Sequence, residues 1–346
     1  MTTVIGDRLR ALLSRPWLPQ GCSYCFTGGK AVIFVTGLCD DGCFYCPVSR
    51  ERLGKDVFFV NEEKTGLNDV LVEIERSGAE GASITGGDPL IVFDRTIRLI
   101  KLLKENFGPS FHIHLYTSGR YASRRVLWSL YSAGLDEIRF HPTRGYLLSR
   151  LDDAVEIGGW SVGVEIPVAR HLVEWAKSIV SYADKAGVHF VNLNEMEVSP
   201  ANIYNLKIRG YSVSLSRPVV ESAFKAGMEI VEWAVKTGLR VNVHFCPASY
   251  KDSIQTRNRF RRTCRLDAKP YEECTAEGTV KYGVLKSCLN NAFDMEYERL
   301  DSEYRLPPER VLVEELAVKY GCEGYIEEAH PTRLRVPVVE SEQVYP

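Results

Sequence analysis

The chain has 346 residues, of which 45% are hydrophobic and 25% charged, and its formal net charge is −2. This balance argues against tight nonspecific binding to nucleic acid, which needs a positive overall field. No apolar run approaches the roughly 18 residues of a membrane-spanning helix, and the N-terminus lacks the apolar core of a secretion signal. We therefore expect a cytoplasmic protein, in which clustered thiols are more often metal ligands than disulfides.

Residues 1–29 are predicted to form an N-terminal extension. Their first part, MTTVIGDRLRALLSRP, favours a short amphipathic helix with Leu9, Leu12 and Leu13 on one face and an end at Pro16. The second part carries a cysteine pair.

Strands and helices alternate through residues 30–246, with Gly or Pro at most junctions. The strands are predicted at Lys30–Thr36, Gly81–Thr85, Phe111–Thr117, Glu137–His141, Ser161–Pro167, His189–Met196 and Arg240–Cys246. Helical periodicity is found at Gly66–Ser77, Arg95–Asn106, Ala122–Ala133, Leu172–Ala186 and Val219–Lys236. This alternation predicts an α/β fold with parallel strands, closed or partly closed into a barrel, and a site at the C-terminal ends of the strands.

Residues 247–346 are predicted to form a small α+β appendage. It begins with an arginine-rich stretch, QTRNRFRRTCR, and continues into a hairpin with Glu277-Gly278 at its turn. A helix near Pro308–Tyr320 and a strand near Gly324–Glu328 follow, and the tail from Pro337 is expected to be loosely held.

Three cysteines lie directly after the first strand, in GLCDDGCFYC. Cys39, Cys43 and Cys46 have C-x3-C-x2-C spacing. Two of them could form a disulfide, or a zinc ion could take all three, although zinc normally has a fourth Cys or His nearby. An iron–sulfur cluster held by three thiolates would leave one iron open to a substrate or cofactor, and the carboxylates of Asp40 and Asp41 are poor ligands for so soft a site.

This loop resembles the cluster loop of the radical S-adenosylmethionine (radical SAM) superfamily, including the aromatic Tyr45 before the last cysteine. The resemblance implies a [4Fe–4S] cluster on Cys39, Cys43 and Cys46, with S-adenosylmethionine bound to the fourth iron. It also implies a partial (β/α)6 TIM-type barrel, which the seventh strand would extend, and cleavage of S-adenosylmethionine to a 5′-deoxyadenosyl radical.

Two glycine-rich or hydroxyl-rich strand ends match cofactor-binding positions of the superfamily. TGGDP places Gly86, Gly87 and Asp88 where the superfamily has its GGEP-type motif for the methionine amino group, although an ordinary turn has the same composition. YTSG offers Thr117 and Ser118 for the ribose and carboxylate of the cofactor, or alternatively as helix N-caps.

Three later strands provide further candidates. Arg139 and His141 share one face of their strand, and Arg139 would face the cofactor carboxylate or else form a surface ion pair. Glu165 belongs to a strand that resembles the one holding the adenine. Asn192 and Asn194 share a face of the next strand, and their amides need partners that a ligand could supply.

A second metal site is a further hypothesis. Cys22 and Cys25 have C-x2-C spacing, and Cys246 and Cys264 are remote thiols that could join them around an auxiliary iron–sulfur cluster or a structural metal. The alternative is that these thiols are packed in the protein. Core packing is likewise predicted for three more, Cys274, Cys288 and Cys322. His244 could be a ligand through its H-x-C spacing to Cys246, although a lone strand histidine more often has a structural role.

The reaction is left open at this point. The chain is distantly similar to the pyruvate formate-lyase-activating branch, but the extra cysteines and the long C-terminal region depart from it. We favour a modifying enzyme acting on a small molecule or a macromolecular side chain, with methyl transfer included. The alternatives are a glycyl-radical-enzyme activase, an RNA-modifying enzyme using the arginine-rich stretch, or an iron–sulfur electron-transfer protein. We expect a monomer or homodimer, a reductant such as ferredoxin or flavodoxin, and a substrate that is anionic if those arginines bind it.

Overall fold

The structure is a computed structural model that describes residues 12–288, 298–300, 303–339 and 341–346. The described chain forms two compact units, the first from 12–26, 30–71 and 80–255 and the second from 27–29, 72–79 and the described part of 256–346. The predicted domain boundaries after residues 29 and 246 stay predictions. None of the helices in these ranges is long and apolar enough to cross a membrane.

The first unit is an α/β fold built on a ten-stranded sheet. Its strands are β1 (Leu12–Leu13), β2 (Lys30–Phe34), β3 (Phe59–Val60), β4 (Glu63–Lys64), β5 (Gly81–Thr85), β6 (His112–Thr117), β7 (Glu137–Phe140), β8 (Ser161–Val168), β9 (Phe190–Glu195) and β10 (Asn242–Cys246). Their order is β1-β10-β9-β8-β7-β6-β5-β2-β3-β4, and the seven strands from β2 and β5 to β10 run parallel. Within the described residues the two edges of the sheet do not pair. The predicted partial barrel with a seventh strand is therefore confirmed.

Helices connect the strands as the periodicity predicts. They are α1 (Gln20–Thr27), α2 (Val70–Ser77), α3 (Phe93–Phe107), α4 (Arg124–Ser132), α5 (Ser149–Ile157), α6 (Val173–Ala186), α7 (Ile203–Lys207), α8 (Ala223–Thr237) and α9 (Ala248–Tyr250), followed by a π-helix at Lys251–Thr256. Helices α6 and α8 end at Gly187 and Gly238, whose left-handed backbone favours glycine. Four of these helices, α1, α5, α7 and α9, are absent from the sequence prediction because each is short.

The predicted N-terminal helix is wrong where it can be checked. Leu12 and Leu13 form β1, which pairs antiparallel with β10, and Leu9 lies outside the described residues. Ser14 extends this contact, since its backbone N–H and its hydroxyl bond the carbonyl and the N–H of Val243. An exposed strand edge offers unpaired backbone groups, and here it overrides the helical periodicity.

The two faces of the parallel sheet have opposite chemistry. On β6 to β10 one set of alternating residues is apolar and buried, among them Leu115, Ile138, Val164, Leu193 and Phe245. The other set contains apolar residues such as Phe190 but includes polar residues on every one of these strands: His112, His114, Tyr116, Glu137, Arg139, Glu165, Asn192, Asn194, Asn242 and His244. Hydrogen bonds between members of this set place them on the inner face. A polar interior needs internal partners for its charges, unlike the usual barrel core of branched aliphatic residues.

Helix α1 packs against this inner face. A Cβ on Gly21 would lie only 2.5 Å from Nδ1 of His114 and 2.7 Å from Nη2 of Arg139. The next residue, Cys22, accepts hydrogen bonds at its Sγ from Arg139 (3.5 Å) and Asn192 (3.8 Å). Glycine at position 21 therefore permits the approach that places a thiol inside the barrel.

The second unit contains an antiparallel sheet and two helices, as predicted for an α+β appendage. Its elements are α10 (Arg257–Asp267), β11 (Glu273–Cys274), β12 (Val280–Lys286), β13 (Glu298–Leu300), β14 (Glu303–Leu306), α11 (Arg310–Tyr320), β15 (Glu323–Ala329) and β16 (Glu342–Tyr345). The hairpin between β11 and β12 turns through Gly278, whose φ of 87° favours glycine. The expectation of a loose tail is wrong, because β16 pairs with β15.

Four cysteines of the second unit form disulfides, Cys264–Cys274 and Cys288–Cys322. The prediction that Cys274, Cys288 and Cys322 are simply packed is therefore wrong, and Cys264 is not available as a metal ligand in this structure. The hairpin and the helices bring these pairs together in space, which their sequence spacing does not reveal.

Candidate active site

The loop with the three cysteines is held by the strand end that carries the glycine pair. Gly87 donates its N–H to the carbonyl of Thr36 (2.7 Å), and Asp88 donates its N–H to the carbonyl of Leu38 (2.8 Å). A Cβ on Gly86 would lie 2.2 Å from the first of these carbonyl oxygens, and one on Gly87 2.0 Å from the second. The two glycines thus allow the backbones of the two loops to touch.

A cavity of about 340 Å³ opens at the C-terminal ends of the strands, as predicted. Its volume lies within the usual range for small-molecule sites. Of the predicted site residues it is lined by Cys39, Cys43, Tyr45, Cys46, Gly86, Gly87, Thr117, Ser118, Glu165 and Asn194. Asp88, Arg139 and Asn192 do not line it, and each lies behind a residue that does.

Asp88 holds the Thr117–Ser118 turn in place. Its buried carboxylate accepts hydrogen bonds from both hydroxyls and from the backbone N–H of Ser118, and it also caps Leu90. These bonds give its side chain internal partners, and its predicted contact with a cofactor stays a prediction. The alternative N-cap role of the two hydroxyl residues is wrong, since Ser123 caps α4.

Glu165 accepts hydrogen bonds from three side chains of the inner face. One oxygen accepts from Arg139 (2.9 Å) and Asn192 (3.1 Å), and the other from Asn194 (2.8 Å). Although burial alone would raise it, the pKa of Glu165 falls to about 2, because Arg139 and the two amides favour the carboxylate. The amide nitrogens of both asparagines thus have a protein partner, whereas the buried Oδ1 of Asn192 has no hydrogen-bond partner among the described residues.

Arg139 is an interior cation. Its side chain is 1% exposed, and its guanidinium binds Glu137, Glu165 and the hydroxyl of Tyr116 (3.2 Å). The alternative of a surface ion pair is wrong, because Arg139 is buried, whereas its predicted contact with the cofactor stays a prediction, since Arg139 does not itself line the cavity.

Tyr45 and His141 connect the cysteine loop to the sheet. The tyrosine hydroxyl lies 2.8 Å from Nε2 of His141, and Nδ1 of His141 lies 2.7 Å from the carbonyl oxygen of Glu165. A neutral imidazole with its proton on Nδ1 satisfies both bonds, and burial lowers the pKa of His141, which favours that neutral form. The alternation of side chains along this strand predicts that His141 lies on the same face as Arg139.

Two further cavity residues, Asp41 and Lys251, have contacts that the sequence does not predict. Asp41 accepts from Thr143 (2.8 Å) and Arg120 (3.2 Å). Lys251, the first residue of the π-helix, lies 2.6 Å from a carboxylate oxygen of Glu197. A π-helix is a rare element that often marks functional sites, and no sequence motif announces it.

Comparison with known proteins identifies the family. Residues 33–191 match the model of the radical SAM superfamily. A protein of Methanocaldococcus jannaschii, named "Putative glycyl-radical enzyme activating enzyme", is 33% identical over 349 residues, which cover 91% of this chain and 90% of that protein. The chain belongs to the radical SAM superfamily.

Two solved structures give weaker matches to this radical SAM enzyme. Streptococcus suis SuiB bound to S-adenosylmethionine has a TM-score of 0.44 and 12% identity, covering 63% of this chain and 50% of SuiB. Coproporphyrinogen III oxidase of Escherichia coli has a TM-score of 0.40 and 13% identity, covering 64% of this chain and 57% of the oxidase. The chain spans about half the length of these solved proteins.

The thiols of the cavity fit the cluster that the superfamily implies. In the described part of the chain, no three His, Cys, Asp or Glu side chains are arranged around a single metal ion. A [4Fe–4S] cubane does not need such an arrangement, because each thiolate binds a different iron. The thiolate sulfurs are then further apart than the ligands of a single ion. Burial raises the pKa of Cys43 to about 11 and also raises those of Cys39 and Cys46, so cluster assembly must displace their protons.

The second cysteine set of this radical SAM enzyme is reduced to three. Cys22 and Cys25 lie on α1, and Cys246 ends β10. The amide of Gln255 connects two of them: Cys25 donates to its oxygen (3.3 Å), and its nitrogen donates to Cys246 (3.7 Å). Cys264 is excluded by its disulfide.

The arginine-rich stretch runs from the end of the π-helix into α10, and four of its arginines are half-buried, namely Arg257, Arg259, Arg261 and Arg262. Arg261 donates to the carbonyl of Ala276 (2.6 Å), Arg262 donates to that of Gly78 (2.6 Å), and Arg257 pairs with Glu277. The interpretation as a freely solvated face is wrong. The alternative, a docking site for an anion, loses support because these guanidinium groups already have protein partners.

Proposed function

We propose that this enzyme binds a [4Fe–4S] cluster through Cys39, Cys43 and Cys46 and uses S-adenosylmethionine as a source of the 5′-deoxyadenosyl radical, which takes hydrogen from a substrate. The cluster would supply one low-potential electron for cleavage of the cofactor. The observation that supports this most is the single cavity that three thiols share with the backbone of Gly86 and Gly87. A small reductant such as ferredoxin or flavodoxin would supply the electron.

The charge of the cavity suits a cationic cofactor. The carboxylates of Asp41, Glu165, Glu195 and Glu197 line it, and among the described residues Lys251 is the one lysine or arginine that does. S-adenosylmethionine carries a sulfonium and an ammonium group, so an acid-rich wall favours its binding.

Each residue has a role that its contacts suggest. Gly86 and Gly87 would present unshielded backbone to the ammonium group, and Thr117 and Ser118 would face the carboxylate or ribose, fixed by Asp88. Glu165 would accept hydrogen bonds from ribose or adenine, with Asn194 beside it. Tyr45 and His141 would form the wall next to the cluster loop.

Two residues act behind this wall. Arg139 and Asn192 would be positioning residues, because they act on residues that line the cavity: both bond Glu165, and Arg139 also bonds Tyr116. Their contribution is to keep that carboxylate ionised and fixed in one orientation.

The test is anaerobic reconstitution with iron and sulfide, reduction with dithionite, and quantification of 5′-deoxyadenosine. We expect product from the native chain and from Leu215→Ala, which changes a fully exposed side chain, but only background from Cys46→Ala. Absence of product from an iron-loaded, reduced native chain would refute the proposal.

A second candidate for the reaction is activation of a glycyl-radical enzyme, in which the substrate is a backbone glycine of a partner protein. The length of the C-terminal region argued against this role in the sequence. However, the relative named as an activating enzyme aligns with 91% of this chain. Incubation with a glycyl-radical enzyme should then give a glycyl radical signal in electron paramagnetic resonance (EPR). Its absence, with 5′-deoxyadenosine still formed, would favour a small-molecule or side-chain substrate.

A further inference from the structure

We propose that the radical SAM unit contains a second iron–sulfur site, in which Cys22, Cys25 and Cys246 bind a [4Fe–4S] cluster and His244 completes its ligands.

The three thiols converge although they come from distant parts of the chain. Cys22 and Cys25, three positions apart on α1, lie on neighbouring parts of one helix face. The Gln255 amide lies between Cys25 and Cys246, within hydrogen-bonding distance of both sulfurs. Cys22 is reached from the inner face of the sheet by Asn192.

His244 provides an independent observation. It is 1% exposed, and in the described part of the chain neither of its ring nitrogens has a hydrogen-bond partner. It precedes Cys246 by two residues, so both project from the same face of β10, and it is the register partner of Asn192. Burial of an imidazole without hydrogen-bond partners costs free energy, because its contacts with water are lost and not replaced. Binding to a metal would give one of the two nitrogens a partner.

The arrangement favours a cluster over a disulfide or a single ion. The structure forms disulfides in the second unit but leaves Cys22, Cys25 and Cys246 free. The intervening amide keeps Cys25 and Cys246 apart, and no three donors surround one point in the described residues. Sulfurs that are near but separated suit a polynuclear cluster, as in the Cys39, Cys43 and Cys46 loop.

The site would also join the two ends of the parallel sheet. Helix α1 leads into β2, the first parallel strand, whereas Cys246 ends β10, the last. The sheet is open between these ends. A cluster bound by both elements would stabilise the fold as a covalent cross-link does, because it would lower the conformational entropy of the unfolded chain.

The test counts iron and acid-labile sulfide in full-length chains reconstituted without oxygen. The variant Cys39→Ala/Cys43→Ala/Cys46→Ala should retain about four of each, with the visible absorption of iron–sulfur charge transfer. Adding Cys22→Ala/Cys25→Ala/Cys246→Ala should remove them. His244→Ala in the first variant should keep the iron but change the EPR spectrum of the reduced cluster.

Loss of all iron from the first variant, with a native circular dichroism spectrum, would overturn the second site, and so would stoichiometric zinc without sulfide. If that variant does not fold, Cys25→Ala in the native chain replaces it, with a fall from about eight irons to about four expected and an unchanged count contradicting the proposal. The count in the first variant does not depend on cleavage of S-adenosylmethionine, so failure of the proposed function would be seen separately.

Discussion

All ten cysteines of this enzyme are described, and the two units use them differently. The first unit keeps six free thiols in two groups of three, whereas the second unit joins its four in two disulfides. The free thiols lie next to polar neighbours, such as Gln255 and Asn192, or line a cavity. Of the bonded ones, Cys264, Cys288 and Cys322 belong to small apolar clusters around β12 and α11, whereas Cys274 is exposed on β11. The same residue type thus stays free in one unit, as the proposed ligation requires, and forms cross-links in the other.

The largest expected effect is on the formation of 5′-deoxyadenosine, which should depend on the free thiols of the cavity and not on the disulfides. Cys43→Ala should lower formation of 5′-deoxyadenosine to background, because one of three cluster ligands is lost. The matched variant Cys288→Ala/Cys322→Ala removes thiols of the second unit and should keep the cleavage rate within about twofold. Equal loss of activity in both variants would mean that the two groups of cysteines do not differ in function. The measurement is product per chain by liquid chromatography.

The next largest effect is expected on the free energy of unfolding, when the buried cation of the polar interior is removed. Arg139→Met should destabilise the protein by about 3–5 kcal/mol, because Glu137 and Glu165 would stay buried without their cation. Arg310→Met, at an exposed ion pair of α11, should change stability by less than about 1 kcal/mol. Urea unfolding measures both values, and similar losses in the two variants would contradict the role of Arg139.

The disulfides of the second unit should contribute less. Cys288→Ser/Cys322→Ser should lower the unfolding free energy by about 2–4 kcal/mol under oxidising conditions, since a 34-residue separation is no longer closed. Titration of the denatured native chain without reductant should find six reactive thiols. Ten reactive thiols would show that the pairs are reduced in the purified protein.

A pH dependence follows from Glu165. Its pKa is depressed to about 2 in the folded state, against roughly 4.3 in an unfolded chain, so its stabilisation is present above about pH 4 and is lost as the pH falls toward 2. The contribution is on the order of 2–3 kcal/mol. Glu165→Gln should flatten the decline in stability between pH 4 and 2. An unchanged slope in this variant would show that other carboxylates cause the decline.

The smallest effect concerns the contact between the cluster loop and the sheet. Tyr45→Phe removes the hydrogen bond to His141 and should cost about 0.5–1.5 kcal/mol. Binding of S-adenosylmethionine, measured by calorimetry on the reconstituted enzyme, should weaken by less than about tenfold. A complete loss of binding would assign the hydroxyl a direct contact with the cofactor.

The sequence predicts those parts of the enzyme that depend on local spacing. The C-x3-C-x2-C loop, the glycine pair after β5 and the alternation of β2 to β10 all carry their information within a few residues. The same is true of the turn at Gly278, where a positive φ favours glycine.

What the sequence does not predict depends on partners from distant elements. Arg139 looks like a surface cation until Glu137 and Glu165 are seen on both sides of it. The N-terminal leucines look helical until the edge of β10 is available, and Cys264 looks like a ligand until α10 and β11 bring it to Cys274. In each of these cases a contact between distant residues outweighs the local pattern.

The central claim is that the three thiols of the cavity leave one iron open for S-adenosylmethionine. It is tested most directly in Cys22→Ala/Cys25→Ala/Cys246→Ala, where the first cluster is expected to be the one remaining. Addition of S-adenosylmethionine to the reduced variant should shift its EPR spectrum, and S-adenosylhomocysteine, which has no sulfonium, should yield no 5′-deoxyadenosine. A spectrum that S-adenosylmethionine leaves unchanged at saturating concentration would contradict the account.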